Sequence, residues 1–386
     1  RFEFRKRLFY IDLLMNFIKK INEENFFKNK RVLVTGGAGF IGGALVRRLL
    51  LKTKCLIFNL DKLNYASDLY SINQIVNNDN YIKKDRYTFL KCDLAENNQL
   101  EKSFKIANPD IVFNFAAETH VDRSIEKPND FIMSNILGTY NLLENIRKHY
   151  ENLNPIRKKF FRYHHVSTDE VFGSLGEVGS FDENSKYDPR SPYSATKASS
   201  DHLVMAWYHT YKIPIVITNC SNNYGPWQFP EKLIPLVILK ALAGKSIPIY
   251  GNGLNVRDWL HVEDHIDAIL LVIKNGKTGN KYCVGGYGEM QNKELVNQIC
   301  DILNDLCPEN INYKDLIEYV SDRPSHDKRY AINASKIQKE LGWEPKYDFK
   351  KGIYETVIWY LNNQSWCHKI QKKASYFGER IGLKID

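Results

Sequence analysis

The sequence predicts an α/β protein: a doubly wound parallel sheet with a smaller C-terminal α/β lobe. Three observations carry that expectation. Short β-branched runs alternate with helical periodicity from Arg31 to Ser221, the pattern of a parallel sheet covered on both faces. A glycine-rich turn, TGGAGFIG, spans residues 35 to 42, between the first such run and the first helix. At 386 residues the chain exceeds what one compact core usually serves, which leaves room for a second lobe.

Taken in order, RVLVT (31 to 35) is the first strand and is followed by a helix near 41 to 52. KCLIFNL leads as a second strand to Asp61, RYTFLKCD is the third, and DIVFNFAA (110 to 117) is the fourth. A helix near 129 to 149 precedes the strand FFRYHHVST, a long helix begins near Tyr193, and IPIVITNCS completes the series. Beyond Ser221 the strands shorten, as in SIPIY and DWLHV, and helices fall near 232 to 242, 263 to 275 and 292 to 304. The expected division is 30–220 for the sheet domain and 221–386 mainly for the smaller lobe, with interleaving allowed. Residues 1–29 read as an extension outside the core, and the polar stretch SDRPSHDKR (321–329) also reads as non-core.

Composition excludes several classes. Lys and Arg outnumber Asp and Glu by 54 to 45, but the basic residues are scattered, which describes a solvated surface rather than a nucleic-acid patch. A modest positive field still suits a diphosphate-bearing substrate. No apolar stretch approaches the roughly 20 residues of a membrane span. Seven cysteines without CxxC spacing read as reduced thiols of a cytoplasmic protein. No His/Cys/Asp cluster has metal-ligand spacing, so no metal is expected. The first residues, RFEFRKRLFYIDLLMNFIKKI, lack the continuous apolar run and cleavage site of a signal peptide. Glu3, Asp12, Glu23 and Glu24 argue against a transit peptide, and Met15 is a candidate start.

The glycine turn carries the first chemistry. Gly36 permits a tight turn, Gly39 lets backbone approach a pyrophosphate, and Gly42 allows close helix–strand packing. Free N–H groups at the helix N-terminus then receive the anion, so the sheet is read as a Rossmann-type dinucleotide domain. Asp61 ends the second strand about 20 residues on, where a carboxylate accepts both ribose hydroxyls and repels a 2′-phosphate. NAD is therefore expected over NADP. Asp93 and Leu94, after the third strand, are placed to approach the adenine, although Asp93 reads equally well as a helix N-cap.

A second constellation carries the reaction. Tyr193 and Lys197 lie four residues apart and share one helix face. A phenol with a reference pKa of roughly 10 is a poor base, but a nearby ammonium and a nicotinamide cation favour its phenolate. Thr168, Asp169 and Glu170 close the strand FFRYHHVST, where two adjacent carboxyls take opposite roles if their surroundings separate their pKa values. In isolation the pair would read as a solvated turn or helix cap.

TGGAGFIG, Asp61 and YSATK together resemble the extended short-chain dehydrogenase/reductase family. NFAAETHVDRSI, VSTDEVFG, SNNYGPWQFPEKLIPL, GNGLNVRDWLHVEDH, SDRPSHDKRYAIN and GERIG narrow the resemblance to its dTDP-glucose 4,6-dehydratase branch, over residues 30 to 386. Phe172 stands where a Tyr would be expected after the acidic pair. The resemblance implies oxidation of a dTDP-hexose at carbon 4, elimination of water across carbons 5 and 6, and hydride return to carbon 6. It makes Tyr193 the base at the 4-hydroxyl, with Thr168 on the same oxygen and Lys197 holding the ribose. Glu170 would remove the carbon 5 proton, and a protonated Asp169 would donate to the leaving hydroxyl. It implies that Phe40, Ile41, Lys62, Leu63, Asn64, Phe115, Ala116, Ala117, Glu118, Thr119, Ser134 and Asn223 line the cofactor. It also implies that Thr119, Asn222, Lys232, Leu233, Pro248, Ile249, Tyr250, Arg257 and Asn292 hold the substrate, together with Asp322, Arg323, Pro324, Ser325 and His326. Arg257 would bind phosphate oxygens or, on the blander reading, pair with Asp258 or Glu263. His164 and His165 read as structural, and His261 as a core or surface histidine rather than a ligand. The resemblance further implies a homodimer through the helix carrying YSATK and the one near 129 to 149.

The alternatives are a UDP-glucose 4,6-dehydratase, a nucleotide-sugar 4-epimerase and a catalytically silent NAD-binding regulator. The epimerase needs Tyr193 and Lys197 but has no use for Asp169 and Glu170. The regulator has no need of any of the four.

Overall fold

The computed structural model describes residues 23–78, 84–379 and 381. Strands β1 (Arg31–Thr35), β2 (Leu56–Asp61), β3 (Tyr87–Lys91), β4 (Ile111–Asn114), β5 (Arg162–Thr168) and β6 (Ile215–Cys220) form one parallel sheet. Short strands β7 (Asn222–Tyr224), β8 (Ile247–Tyr250), β9 (Val256–Arg257) and β10 (Trp259–His261) follow. The chain then returns to the main sheet as β11 (Lys281–Val284), pairing in parallel with β6. Strands β12 (Met290–Gln291) and β13 (Ile317–Val320) complete small two-stranded pairs with β9 and β8. The seven-stranded order is β11-β6-β5-β4-β1-β2-β3. The order reverses between β1 and β4, and ligands of open α/β sheets bind at the carboxyl ends beside such a reversal.

Both faces of this sheet are covered, so its strands are apolar throughout. Successive β1 residues split between two cores: Val32 and Val34 join the Phe40–Lys52 and Val262–Asn275 helices, while Leu33 faces the other side with Leu142 and Ile146. The second lobe has its own core, where Ile234 and Ile238 meet Leu295, Ile299, Ile353 and Val357 from three helices. β11 and the Val262–Asn275 helix come from beyond residue 221 yet belong to the sheet layer.

Three expectations need correction. The core starts before residue 30: Phe27 is 1% exposed within it, and Glu23 pairs with Arg48 at 3.4 Å. The rest of the expected extension, residues 1–22, lies outside the described residues. The helix expected near 129 to 149 is a turn, Pro128–Phe131, then a π-helical stretch, Ile132–Leu137, then a regular helix, Gly138–Asn152. The widened turn seats Asn135, whose side chain bonds both the N–H and C=O of Glu118 (2.8 and 3.0 Å) and the Thr196 hydroxyl (2.9 Å). The polar 321–329 stretch is partly interior, since Asp327 is buried and Arg323 reaches across to Asp122.

Candidate active site

The cofactor cleft, a cavity of about 290 Å³, opens at the β1/β4 reversal. The backbone there leaves no choice but glycine. Gly36 has φ +68°, and a Cβ on it would lie 2.6 Å from the Ala116 nitrogen. A Cβ on Gly42 would lie 2.3 Å from the Gly36 carbonyl oxygen. Gly39 caps the Phe40–Lys52 helix with no side-chain acceptor, and no acid occupies its first turn. The first N–H groups therefore point into the cleft without an internal anion, which fits a pyrophosphate.

Asp61 is held in place by the N–H groups of Ala38 (3.0 Å) and Leu63 (2.8 Å) and by the Ser67 hydroxyl (3.0 Å). Burial pushes its carboxyl above the ordinary value against the pull of those bonds. Lys62 bridges Glu118 (3.0 Å) and Ser134 (2.8 Å). Of the expected cofactor residues only Leu63 is off the wall, serving Asp61 through its backbone instead. Asp93 lines the cleft beside Leu94 and ties a turn by accepting from the Ala95 N–H at 3.0 Å. The N-cap of the following helix is Glu96, so the N-cap reading of Asp93 does not hold.

A capping box between Ser191 and Ser194, with Pro192 in the first turn, starts the Pro192–Tyr211 helix where it aims Tyr193 and Lys197 at the cleft. Thr168 ends β5 and caps the following turn, accepting from the Glu170 N–H at 3.3 Å. Thr168, Glu170, Tyr193 and Lys197 share the cleft wall. Asp169 sits beneath it, 1% exposed, with Oδ1 3.3 Å from the Thr168 hydroxyl. Burial and then the neighbouring Glu170 push the Asp169 carboxyl well up, as a neutral acid requires. Burial also raises Glu170, but Arg323, Arg257 and Lys232 draw it back. The Tyr193 phenol is pushed well up by burial and by Glu170, and eased down by the Thr168 hydroxyl. The sequence places Lys197 four residues on, as the ammonium that favours the phenolate. Its ammonium instead donates to the Val166 carbonyl at 2.8 Å, and burial lowers its own pKa against the pull of Asp201.

A second cavity, of about 210 Å³, adjoins the first. Thr119, Glu170, Asn222, Glu231 and Lys232 belong to the walls of both, so the two form one continuous site. Leu233, Pro248, Ile249, Tyr250, Arg257, Asn292, Arg323 and His326 line the second. Arg257 is 5% exposed and lies 4.3 Å over the Tyr330 ring. Its donors reach the Val256 and Asp327 carbonyls (2.8 and 3.0 Å). Asp258 accepts from Gly286 and Gly288, so the ion-pair reading of Arg257 fails. Arg323 Nε is buried without a partner among the described residues, a donor free for an incoming oxygen. Asp322, Pro324 and Ser325 do not line the cavity. Asp322 Oδ1 instead accepts from His326 Nδ1 at 2.6 Å, and Ser325 turns the chain at φ +52°.

Sequence reasoning missed Asp122, Glu231 and Tyr330 on these walls. The only signals were their positions inside the motifs HVDRSI, FPEKLIP and KRYAIN. The three histidines are structural: His165 pairs with buried Asp201 at 3.3 Å, His164 bonds Thr218, and His261 caps the Val262–Asn275 helix. No metal-holding cluster and no helix long and apolar enough to cross a membrane occur among the described residues.

The family model described as GDP-mannose 4,6 dehydratase matches residues 33–356. A dTDP-glucose 4,6-dehydratase from Escherichia coli is 51% identical over 366 residues, covering 92% of this chain and 99% of its own. A probable dTDP-glucose 4,6-dehydratase from Sinorhizobium fredii is 51% identical over 353 residues, with the same coverage. The crystal structure of the Bacillus anthracis dTDP-glucose 4,6-dehydratase in complex with NAD is 43% identical, with a TM-score of 0.75, covering 88% of this chain and 99% of that one. The glycine cradle, the carboxyl pair beside Tyr193 and these likenesses converge: the chain belongs to the NAD-dependent dTDP-glucose 4,6-dehydratase family.

Proposed function

We propose that this chain is a hydro-lyase that converts dTDP-glucose to dTDP-4-keto-6-deoxyglucose. One observation carries the reading: Glu170 stands on the wall common to the cofactor cleft and the second cavity. A base there reaches a hexose whose nucleotide lies in one cavity while its ring faces the other. Held by the glycine turn and Asp61, NAD would supply a hydride acceptor for carbon 4 and the donor for carbon 6, so no external oxidant would be consumed.

The chain's own groups then have distinct tasks. Tyr193 takes the 4-hydroxyl proton, and the positive charge of the bound nicotinamide offsets the burial that raises its phenol. Thr168 bonds the same oxygen. Once carbon 4 is a ketone, the carbon 5 proton is acidified and Glu170 removes it. Asp169, kept neutral by burial and by Glu170, donates its proton to the carbon 6 hydroxyl as it leaves. Lys197 bonds the ribose. Arg257 and Arg323 hold the diphosphate. A 4-epimerase would leave the Asp169/Glu170 pair without a task.

Incubating the protein with dTDP-glucose and with UDP-glucose, and following loss of water by mass spectrometry, tests the reading. The 4-keto-6-deoxy product is expected from dTDP-glucose. Accumulation of an epimerised hexose of unchanged mass would overturn it. Seven free cysteines suit a reducing, cytoplasmic setting. A homodimer is supported by exposed Met133, Tyr140 and Tyr211 on the paired 138–152 and 192–211 helices and the π-helical stretch before them.

A further inference from the structure

The short Val121–Glu126 helix follows β4 and lies over the second cavity. Asp122 on it is 4% exposed. Its Oδ1 accepts from Arg323 Nη1 at 3.0 Å, and its Oδ2 accepts from the Tyr250 hydroxyl at 2.9 Å. Both partners belong to the second lobe, 201 and 128 residues away in sequence, and both line the cavity that Glu170 also lines. Arg323 sits in a loop without regular structure, and its guanidinium donates to Asp122. The next residue, Arg123, repeats the tie on the neighbouring wall, donating to Glu231 at 3.0 Å.

We propose that Asp122 is a positioning residue: it anchors Arg323 and Tyr250 across the lobe boundary and so sets both the grip on the nucleoside diphosphate and the charge facing Glu170. The inference rests on Glu170 being the base of the proposed reaction. Glu170 faces the cations Arg323, Arg257 and Lys232, the carboxyls Asp169 and Asp327, and the phenols Tyr193 and Tyr330. Of the cations, Arg323 acts on it most strongly. Asp122 itself faces Arg323, His120, Tyr250 and Lys232. Burial would raise its carboxyl, but Arg323, His120 and the bond from Tyr250 outweigh burial and hold it below the ordinary range. It is therefore an anion at neutral pH. An anion on Arg323 cancels part of the field that Arg323 exerts on Glu170.

The test uses the full chain with NAD bound, since Asp122 lines the second cavity and not the cofactor cleft. Asp122→Asn keeps an acceptor for Arg323 but removes the charge. The acid limb of its kcat/KM profile is expected to move to lower pH by at least about half a unit, because a less-cancelled Arg323 favours ionised Glu170. Asp122→Ala removes the anchor, and dTDP affinity by calorimetry is expected to fall about tenfold or more. An acid limb that stays put or moves upward in Asp122→Asn overturns the proposal, as does undiminished dTDP binding by Asp122→Ala. If neither variant retains NAD, Arg323→Ala carries the test. An upward-shifted limb with weakened dTDP supports the proposal, and an unmoved limb overturns it. Glu170→Gln separates the two ideas: if that variant turns over normally, the reading of the base fails, whereas an inactive Glu170→Gln beside an unmoved limb sinks only the role of Asp122.

Discussion

Glu170 and Asp169 are adjacent in sequence, Asp169 buried and Glu170 half-buried on the cavity wall, and their surroundings treat them differently. Three cations oppose burial at Glu170, while Asp169 has Glu170 and Asp258 as carboxyl neighbours and Arg257 as the cation that draws it back. That difference supports the proposed roles, Asp169 as the acid and Glu170 as the base. Glu170→Gln, which keeps the shape and loses the base, is expected to cut kcat by about 10² to 10⁴ while NAD stays bound. Residual turnover near the parent rate would remove Glu170 from the carbon 5 step. Because Glu170 acts ionised and burial raises it, activity should fail as pH drops through its raised value and be retained above it. At this scale the sequence was most legible where chemistry forces a residue type, as at Tyr193, Lys197 and the carboxyl pair. It was silent on Asp122 and Glu231, whose meaning lies in partners brought close only by the fold, Arg323 and Arg123. Carrying over 322–326 as a block failed for a simple reason: a turn cannot aim five successive side chains into one cavity.

The glycine turn shows how an element can be read in full from sequence, since the constraint is steric and local. Gly36→Ala would force a side chain into the left-handed region and against the Ala116 backbone. It is expected to cost roughly 1–3 kcal/mol and to abolish measurable NAD binding in a fluorescence titration. Undisturbed NAD affinity would show that the turn tolerates a side chain and would sink the steric argument. The 128–152 segment is the opposite case. Periodicity identified a helix there, but a single widened turn leaves the apolar spacing on either side intact, so nothing in the sequence betrays it. Its effect is visible only in the fold, where Asn135 joins the end of β4 to the helix of Tyr193.

Across the whole molecule, the sheet layer supplies most of the wall of the cofactor cleft, and the later part of the chain supplies most of the wall of the adjoining cavity. The alternation of strands and helices made the sheet legible, and the reversal between β1 and β4 located the site. A row of aromatic rings, Tyr140, Trp207 and Tyr211, runs along the paired 138–152 and 192–211 helices with centroids 5.9 and 5.6 Å apart. If this face joins two copies, Tyr140→Glu should yield a monomer by light scattering where the parent is a dimer. A parent that is already monomeric would refute the assembly.

The late arrival of β11 has a consequence for how the protein can be taken apart. Its seventh strand and the helix backing it are made from sequence lying between two stretches of the smaller lobe. No single scission of the chain yields two self-sufficient pieces. A fragment ending near residue 220 would expose the hydrogen-bonding edge of β6 and a bare apolar surface, a template for aggregation rather than a minimal cofactor module.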